Sequence, residues 1–282
     1  MAATPWGTDL HGAVLRAAGG RAPHRGVAAV AALALVLAGC SLPDDGPGTS
    51  VDNGPSADAT SAPGTGPGGP AGQDRSPLFD TPADSAAVYE VYGDSLTVAD
   101  SPDFAGGRLG PESWLAHMDP ERFAVTAAGG RWGATVPDVL AGHLADGPME
   151  ADALLVFLGT NDLFRAAGDT ASAHAAFVGE VEDLAGRRGR GGAAVVVVAV
   201  GPSGTDAARG VPGPVRDWNE RTRAAAAERG WTFVDPWGPV RDEASNTFAD
   251  PQDTTDGLHL SVSGAQKLAE GMELALADGP DA

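Results

Sequence analysis

Four polar residues of this chain have the types and spacing that covalent catalysis needs. Ser95 stands in Gly93-Asp94-Ser95-Leu96, directly after the apolar run from Ala87 to Tyr92. Asn161 stands in Gly159-Thr160-Asn161-Asp162 at the end of a second apolar run, and Asp256 and His259 lie three residues apart in Asp256-Gly257-Leu258-His259. A serine hydroxyl is a poor nucleophile until a base takes its proton, and the base works best when a third group fixes its tautomer and orientation. One tight loop could therefore aim the Asp256 carboxylate at Nδ1 of His259 while Nε2 faces Ser95.

Each motif also has a plainer use. A Gly-Asp-Ser turn can simply start a helix by satisfying orphan N–H groups. Asn161 and Asp162 can do the same in a strand-to-helix turn, and the Asp256/His259 loop can precede a helix capped by Ser261 or Ser263. Against three separate plain uses stands their shared placement at the strand ends of one sheet, with Ser95 and Asn161 after apolar runs and the Asp256/His259 pair in the loop entering the last helix. The other histidines lack this setting. His11 and His24 lie in or before the N-terminal apolar run, and His117, His143 and His174 fall on expected helices as surface or packing residues.

The elements that would position these residues can be read from the pattern. Strands are expected at Ala87 to Tyr92, Phe123 to Ala127, Ala153 to Leu158, Ala193 to Val200 and Trp231 to Val234, because runs apolar at every position suit strands buried on both faces. Helices are expected at about 136 to 145, 169 to 187, 214 to 229 and 262 to 276. Strands alternating with helices imply right-handed crossovers, hence an α/β fold: a three-layer α/β/α domain on a five-stranded parallel sheet, flavodoxin-like in type. In such sheets ligands bind at the carboxyl ends of the strands, where the strand order reverses. With the order 2-1-3-4-5, the first and third strands are neighbours, which brings Ser95 and Asn161 together.

From Gly93 to His259 the chain resembles the SGNH, or GDSL, hydrolase family of serine esterases, with Ser95 in the first block, Asn161 in Gly-Thr-Asn-Asp and Asp256 with His259 in the last. The resemblance implies that Ser95 attacks an ester carbonyl, His259 shuttles the proton and Asp256 orients the imidazole. It also implies an oxyanion hole made by the N–H groups of Ser95 and a glycine together with the Asn161 side-chain amide. In Gly129-Gly-Arg-Trp-Gly-Ala-Thr135 that glycine is Gly133, with Gly130 as the alternative. Trp132 beside it is either a surface for stacking a sugar or a core residue. No Gly-x-Ser-x-Gly elbow surrounds Ser95, which counts against the α/β-hydrolase fold. Asp250, Asp253 and Asp256 lack the spacing of a calcium loop, so neither metal nor cofactor is expected.

The N-terminal third has a different composition. Val27 to Gly39 is an apolar run preceded by Arg16, Arg21 and Arg25 and followed by Cys40, the single cysteine of the chain. The run is shorter than the roughly 20 residues a membrane-spanning helix needs, and its basic flank and small terminal residues describe an export signal over residues 1–39. Leu37-Ala38-Gly39-Cys40 resembles the lipobox of bacterial lipoproteins, which implies lipidation at Cys40 and a place on the outer face of the cell membrane; a simply secreted protein is the alternative. Residues 40–84, rich in Gly, Pro, Ser, Ala and Thr, are expected to form a disordered tether, because such a composition cannot bury enough surface to offset its ordering entropy. Residues 85–282 are the expected hydrolase domain.

A net charge of −20 argues against nucleic acid as a partner, which requires a basic face. It equally disfavours electrostatic docking on anionic lipid, leaving the acyl chain on Cys40 as the membrane attachment. The expected partner is a small-molecule or glycan ester, with a short acyl chain or a glycan O-acetyl group favoured. A lipase, lysophospholipase or acyltransferase of the same family and a noncatalytic binding lipoprotein are the competing readings.

Overall fold

The computed structural model of the 282-residue chain describes residues 74–189, 193–204 and 212–277. The expected signal, Cys40, His11, His24 and residues 41–73 of the expected tether lie outside the described residues.

Five parallel strands form one sheet in the order β2-β1-β3-β4-β5: β1 (Ala87–Gly93), β2 (Phe123–Gly130), β3 (Ala153–Phe157), β4 (Ala194–Val198) and β5 (Thr232–Val234). Each expected strand is present, and β1 and β3 are neighbours, as the reversal of strand order requires. The register of β1 on β2 slips by one residue between Tyr89 and Glu90, where β2 carries the extra Thr126. The Val-Val-Val-Val run of β4 is β-branched at each position, a side-chain type that packs well on a pleated surface.

Alternation along the strands divides the interior in two. Tyr89, Val91, Leu155, Phe157, Val196 and Val198 pack on one face of the sheet, whereas Tyr92, Leu154, Val156, Val195 and Val197 pack on the other. The second face is covered by α2 (Val136–Gly142), α4 (Thr170–Arg188) and α5 (Pro212–Arg229), through Val139, Val181, Leu184 and Trp218. The first is covered by α6 (Val262–Ala277), through Leu268 and Met272, together with Trp114 and Trp237. The result is the expected three-layer α/β/α arrangement.

Three features differ from expectation. The folded part begins before residue 85: Pro77–Phe79 form a 3-10 helix that buries Leu78 and Phe79 in the first core, and Ser76 N–H donates to Gly107 O at 2.8 Å. One apolar pair in a polar stretch is enough to dock it. Two one-turn helices, α1 (Ser95–Val98) and α3 (Thr160–Phe164), follow β1 and β3 directly. A short antiparallel pair, β6 (Arg241–Asp242) and β7 (Thr247–Phe248), occupies the connection between β5 and α6. Among the described residues no helix is long and apolar enough to cross a membrane.

Candidate active site

The nucleophile turn is built by β1 ending in glycine. A Cβ at Gly93 would overlap the side chain of Thr97, and one at Gly130 would overlap the Gly93 carbonyl, so only glycine lets the two strand ends close under α1. Asp94 caps α1, its Oδ1 accepting from Leu96 N–H at 3.0 Å, and Ser95 is the first helical residue. Ser113 Oγ donates to Thr97 O at 2.6 Å and Trp114 Nε1–H to Thr97 Oγ1 at 3.2 Å, which ties the turn down from the other side.

His259 and Asp256 occupy a loop between a 3-10 helix (Pro251–Asp253) and α6. Thr254 Oγ1 and Thr255 N–H both donate to His259 O, at 2.7 and 2.9 Å, and Gly257 N–H donates to Thr254 Oγ1 at 2.8 Å. Ser261 caps α6, its Oγ accepting from Gly264 N–H at 3.3 Å. The capping role and the Asp256/His259 pairing thus coexist in one loop. The three acids of this segment do separate work: Asp250 caps the 3-10 helix, Asp253 pairs with Lys267, and Asp256 faces the histidine.

Ser95, Asp256 and His259 meet here. His259 Nδ1 is 2.7 Å from Asp256 Oδ2, and His259 Nε2 is 2.9 Å from Ser95 Oγ. An ionised carboxylate only accepts, so the ring proton lies on Nδ1 and Nε2 presents its lone pair to the serine hydroxyl. Burial pushes the Asp256 carboxyl up, but hydrogen bonds from His259 and Leu258 outweigh it and hold the group below the usual carboxylate range. Asp256 therefore remains an anion at neutral pH.

The neighbouring groups form a second layer. Asn161, the second residue of α3, donates from Nδ2 to Asp94 Oδ2 at 3.0 Å and to Ala134 O at 3.1 Å. Both amide hydrogens are therefore engaged, which sequence reasoning did not anticipate. Gly133 adopts φ +70°, and a Cβ there would meet only Arg165 Nη2 at 3.8 Å, an ordinary contact, so it is the backbone conformation that calls for glycine. Among the described residues neither Gly133 N–H nor Ser95 N–H has a hydrogen-bond acceptor. Gly130 instead packs against the end of β1. Arg165 Nη2 donates to Gly133 O at 2.7 Å and its Nη1 to Asp138 Oδ2 at 3.3 Å, while Asp138 also accepts from Arg131 at 2.8 Å. Nothing in the sequence marks Arg165 as the brace of the Gly133 turn. Trp132, left open as sugar platform or core, is 53% exposed and stacks on His259, so it is not a core residue. His174 packs edge-on against Trp218, and His117 bonds Pro111 O; neither belongs to this cluster.

The sequence model of the GDSL-like lipase/acylhydrolase family matches residues 91–267, well over half of the chain, and the chain belongs to that family. It is a serine hydrolase acting on ester bonds. Among solved structures, the chain is similar to Axe2, an acetylxylan esterase from Geobacillus stearothermophilus, at 19% identity and a TM-score of 0.50 over 68% of this chain and 94% of that one. It also matches LAE5, an alpha/beta hydrolase enzyme from the metagenome of Lake Arreo, Spain, at 19% identity and a TM-score of 0.49 over 71% and 98% of the two chains. The likeness to Axe2 speaks to the fold alone. No curated protein matches.

Proposed function

We propose that this chain is an extracytoplasmic esterase that opens a short-chain acyl ester, with a glycan O-acetyl group favoured, through a Ser95-His259-Asp256 triad. The observation that carries the reading is the continuous line from Asp256 Oδ2 through the imidazole to Ser95 Oγ, with contacts of 2.7 and 2.9 Å. Ser95 Oγ attacks the ester carbonyl as its proton passes to His259 Nε2, and Asp256 stabilises the imidazolium. The oxyanion is bound by the N–H groups of Ser95 and Gly133. Asn161 joins them by exchanging its contact with Ala134 O for the oxyanion while Asp94 keeps hold of the other amide hydrogen. Collapse returns the proton to the departing alcohol and leaves an acyl-enzyme on Ser95, which water opens by the same relay.

Two features favour a small acyl group on a sugar. Trp132 offers an exposed aromatic face beside the base, and the related fold of Axe2 is that of an acetylxylan esterase. An export signal over residues 1–39 and lipidation at Cys40 would hold the enzyme at the outer face of the membrane, facing envelope or extracellular polymers. Hydrolysis of aryl esters from acetyl to palmitoyl tests the acyl preference. A sharp fall beyond the shortest chains is expected, whereas a preference for long chains would move the assignment to a lipase.

A further inference from the structure

Among the described residues Trp132 is the one large aromatic side chain left substantially in water, yet it is fixed at both ends. Its ring lies on the His259 imidazole with centroids 4.7 Å apart and planes 28° apart, and its Nε1–H donates to Ala99 O at 2.7 Å. Ala99 is the C-cap of the nucleophile's own helix, its N–H bonded to Ser95 O, and it sits at φ +47°, a conformation that costs an alanine energy. Trp132 also precedes Gly133 directly in the chain. One indole thus touches the base, bonds the segment that carries the nucleophile and adjoins the turn assigned to the oxyanion.

The relay has a weakness that this contact answers. The Asp256 side chain is 52% exposed and that of His259 19%, so water can compete for the Nδ1 proton instead of being excluded by burial. The bond to Asp256 fixes one ring nitrogen but leaves the imidazole free to tilt about the Nδ1 to Oδ2 line. A flat partner on the ring face removes that freedom. As the serine attacks, the imidazole becomes a cation, and a cation over an indole face is attracted by the ring quadrupole, an effect worth a factor of about 2 to 30.

We propose that Trp132 is a positioning residue of this active site, its indole holding the His259 imidazole toward Ser95 and stabilising the imidazolium, with the bond to Ala99 O fixing the indole itself. The inference rests on the proposed triad, and its test separates the two. Wild type, Ser95→Ala, Trp132→Leu, Trp132→Gln and Trp132→Phe are compared for kcat and KM on 4-nitrophenyl acetate and for the rate constant of labelling by a fluorophosphonate. Leu and Gln remove the ring, and Gln retains a donor for Ala99 O, so either variant serves if the other fails to fold.

The ringless variants should lose about 5- to 30-fold in both kcat and labelling rate with KM within about 2-fold, and Phe should recover to within about 3-fold of wild type. Wild-type rates in the ringless variants would overturn the inference, as would a change confined to KM, which would make Trp132 a substrate platform only. A Phe variant as slow as the ringless ones would overturn it too, because the ring would then not be the active part. A wild type that neither labels nor hydrolyses would overturn the esterase reading and this inference with it.

Discussion

At Asp94 a single carboxylate, 1% exposed, accepts from Leu96 N–H through Oδ1 and from the Asn161 amide through Oδ2, so the turn carrying Ser95 and the amide at the next strand end share one anchor. Burial, reinforced by the nearby charge of Asp162, pushes its pKa up to about 7, and burial pushes that of Asp162, whose buried Oδ2 has no partner among the described residues, up to about 6. A carboxyl whose folded pKa is raised binds its proton more tightly in the native state. Its stabilising contribution is then complete below the unfolded pKa, near 4, and is lost as pH rises through about 7. Asp94→Asn should accordingly show a shallower loss of thermal stability from pH 5 to pH 8 than wild type, and equal slopes in the two melting series would contradict this. The same variant offers one acceptor oxygen to two donors, and about a 10-fold or greater fall in kcat is expected from the lost charge-assisted bond. Asn161→Ala should cost about 10²- to 10³-fold in turnover, the usual effect of deleting one oxyanion donor, with a modest fall in melting temperature because Asp94 Oδ2 and Ala134 O lose their donor. Ester hydrolysis at the wild-type rate in that variant would remove Asn161 from the oxyanion hole.

Between the sheet and the reacting atoms stand short elements whose anchoring is local, and the loop bearing Asp256 and His259 is the clearest case. Asp253, 1% exposed at the start of that loop, accepts from Lys267 Nζ at 2.8 and 2.7 Å and from Ser263 Oγ at 2.8 Å, which pins the loop to the first turns of α6. Lys267→Met would leave the buried carboxylate with a single hydroxyl donor. A melting temperature lowered by about 3 to 8 °C is expected, with kcat falling more than KM changes; an unaltered melting curve would show that the pair is not a clamp. This pairing was not legible in the sequence, where fourteen residues separate the partners and acids near a lysine are commonplace. The strands were legible because β3 and β4 are buried on both faces and read as unbroken apolar runs, with β1 interrupted only by Glu90, and because Ser95 and Asn161 follow such runs closely. The hairpin of β6 and β7 was not, since two-residue strands carry no periodicity. Leu78 and Phe79 were hidden in a tether-like composition, and the Trp132 stack on His259 depends on a loop path that spacing does not fix.

The whole domain holds two cores, one on each face of a parallel sheet, and the active site lies at the β1 and β3 ends, where the strand order reverses. Because Leu155 is fully buried in the middle of β3, Leu155→Ala should cost about 2 to 5 kcal/mol in chemical denaturation without altering the chemistry of surviving native molecules. A change in KM at full occupancy of the native state would contradict that separation of scaffold from site. The acidity of the chain, with a net charge of −20, bears on solubility and not on the reaction. All of this depends on Ser95 being a nucleophile activated by His259. The direct test is to react the protein with a fluorophosphonate and locate the adduct by peptide mass spectrometry. One adduct per chain, on Ser95, absent in Ser95→Ala and strongly slowed in His259→Ala, is the predicted result. Equal labelling of Ser95→Ala, or an adduct on another residue, would contradict it.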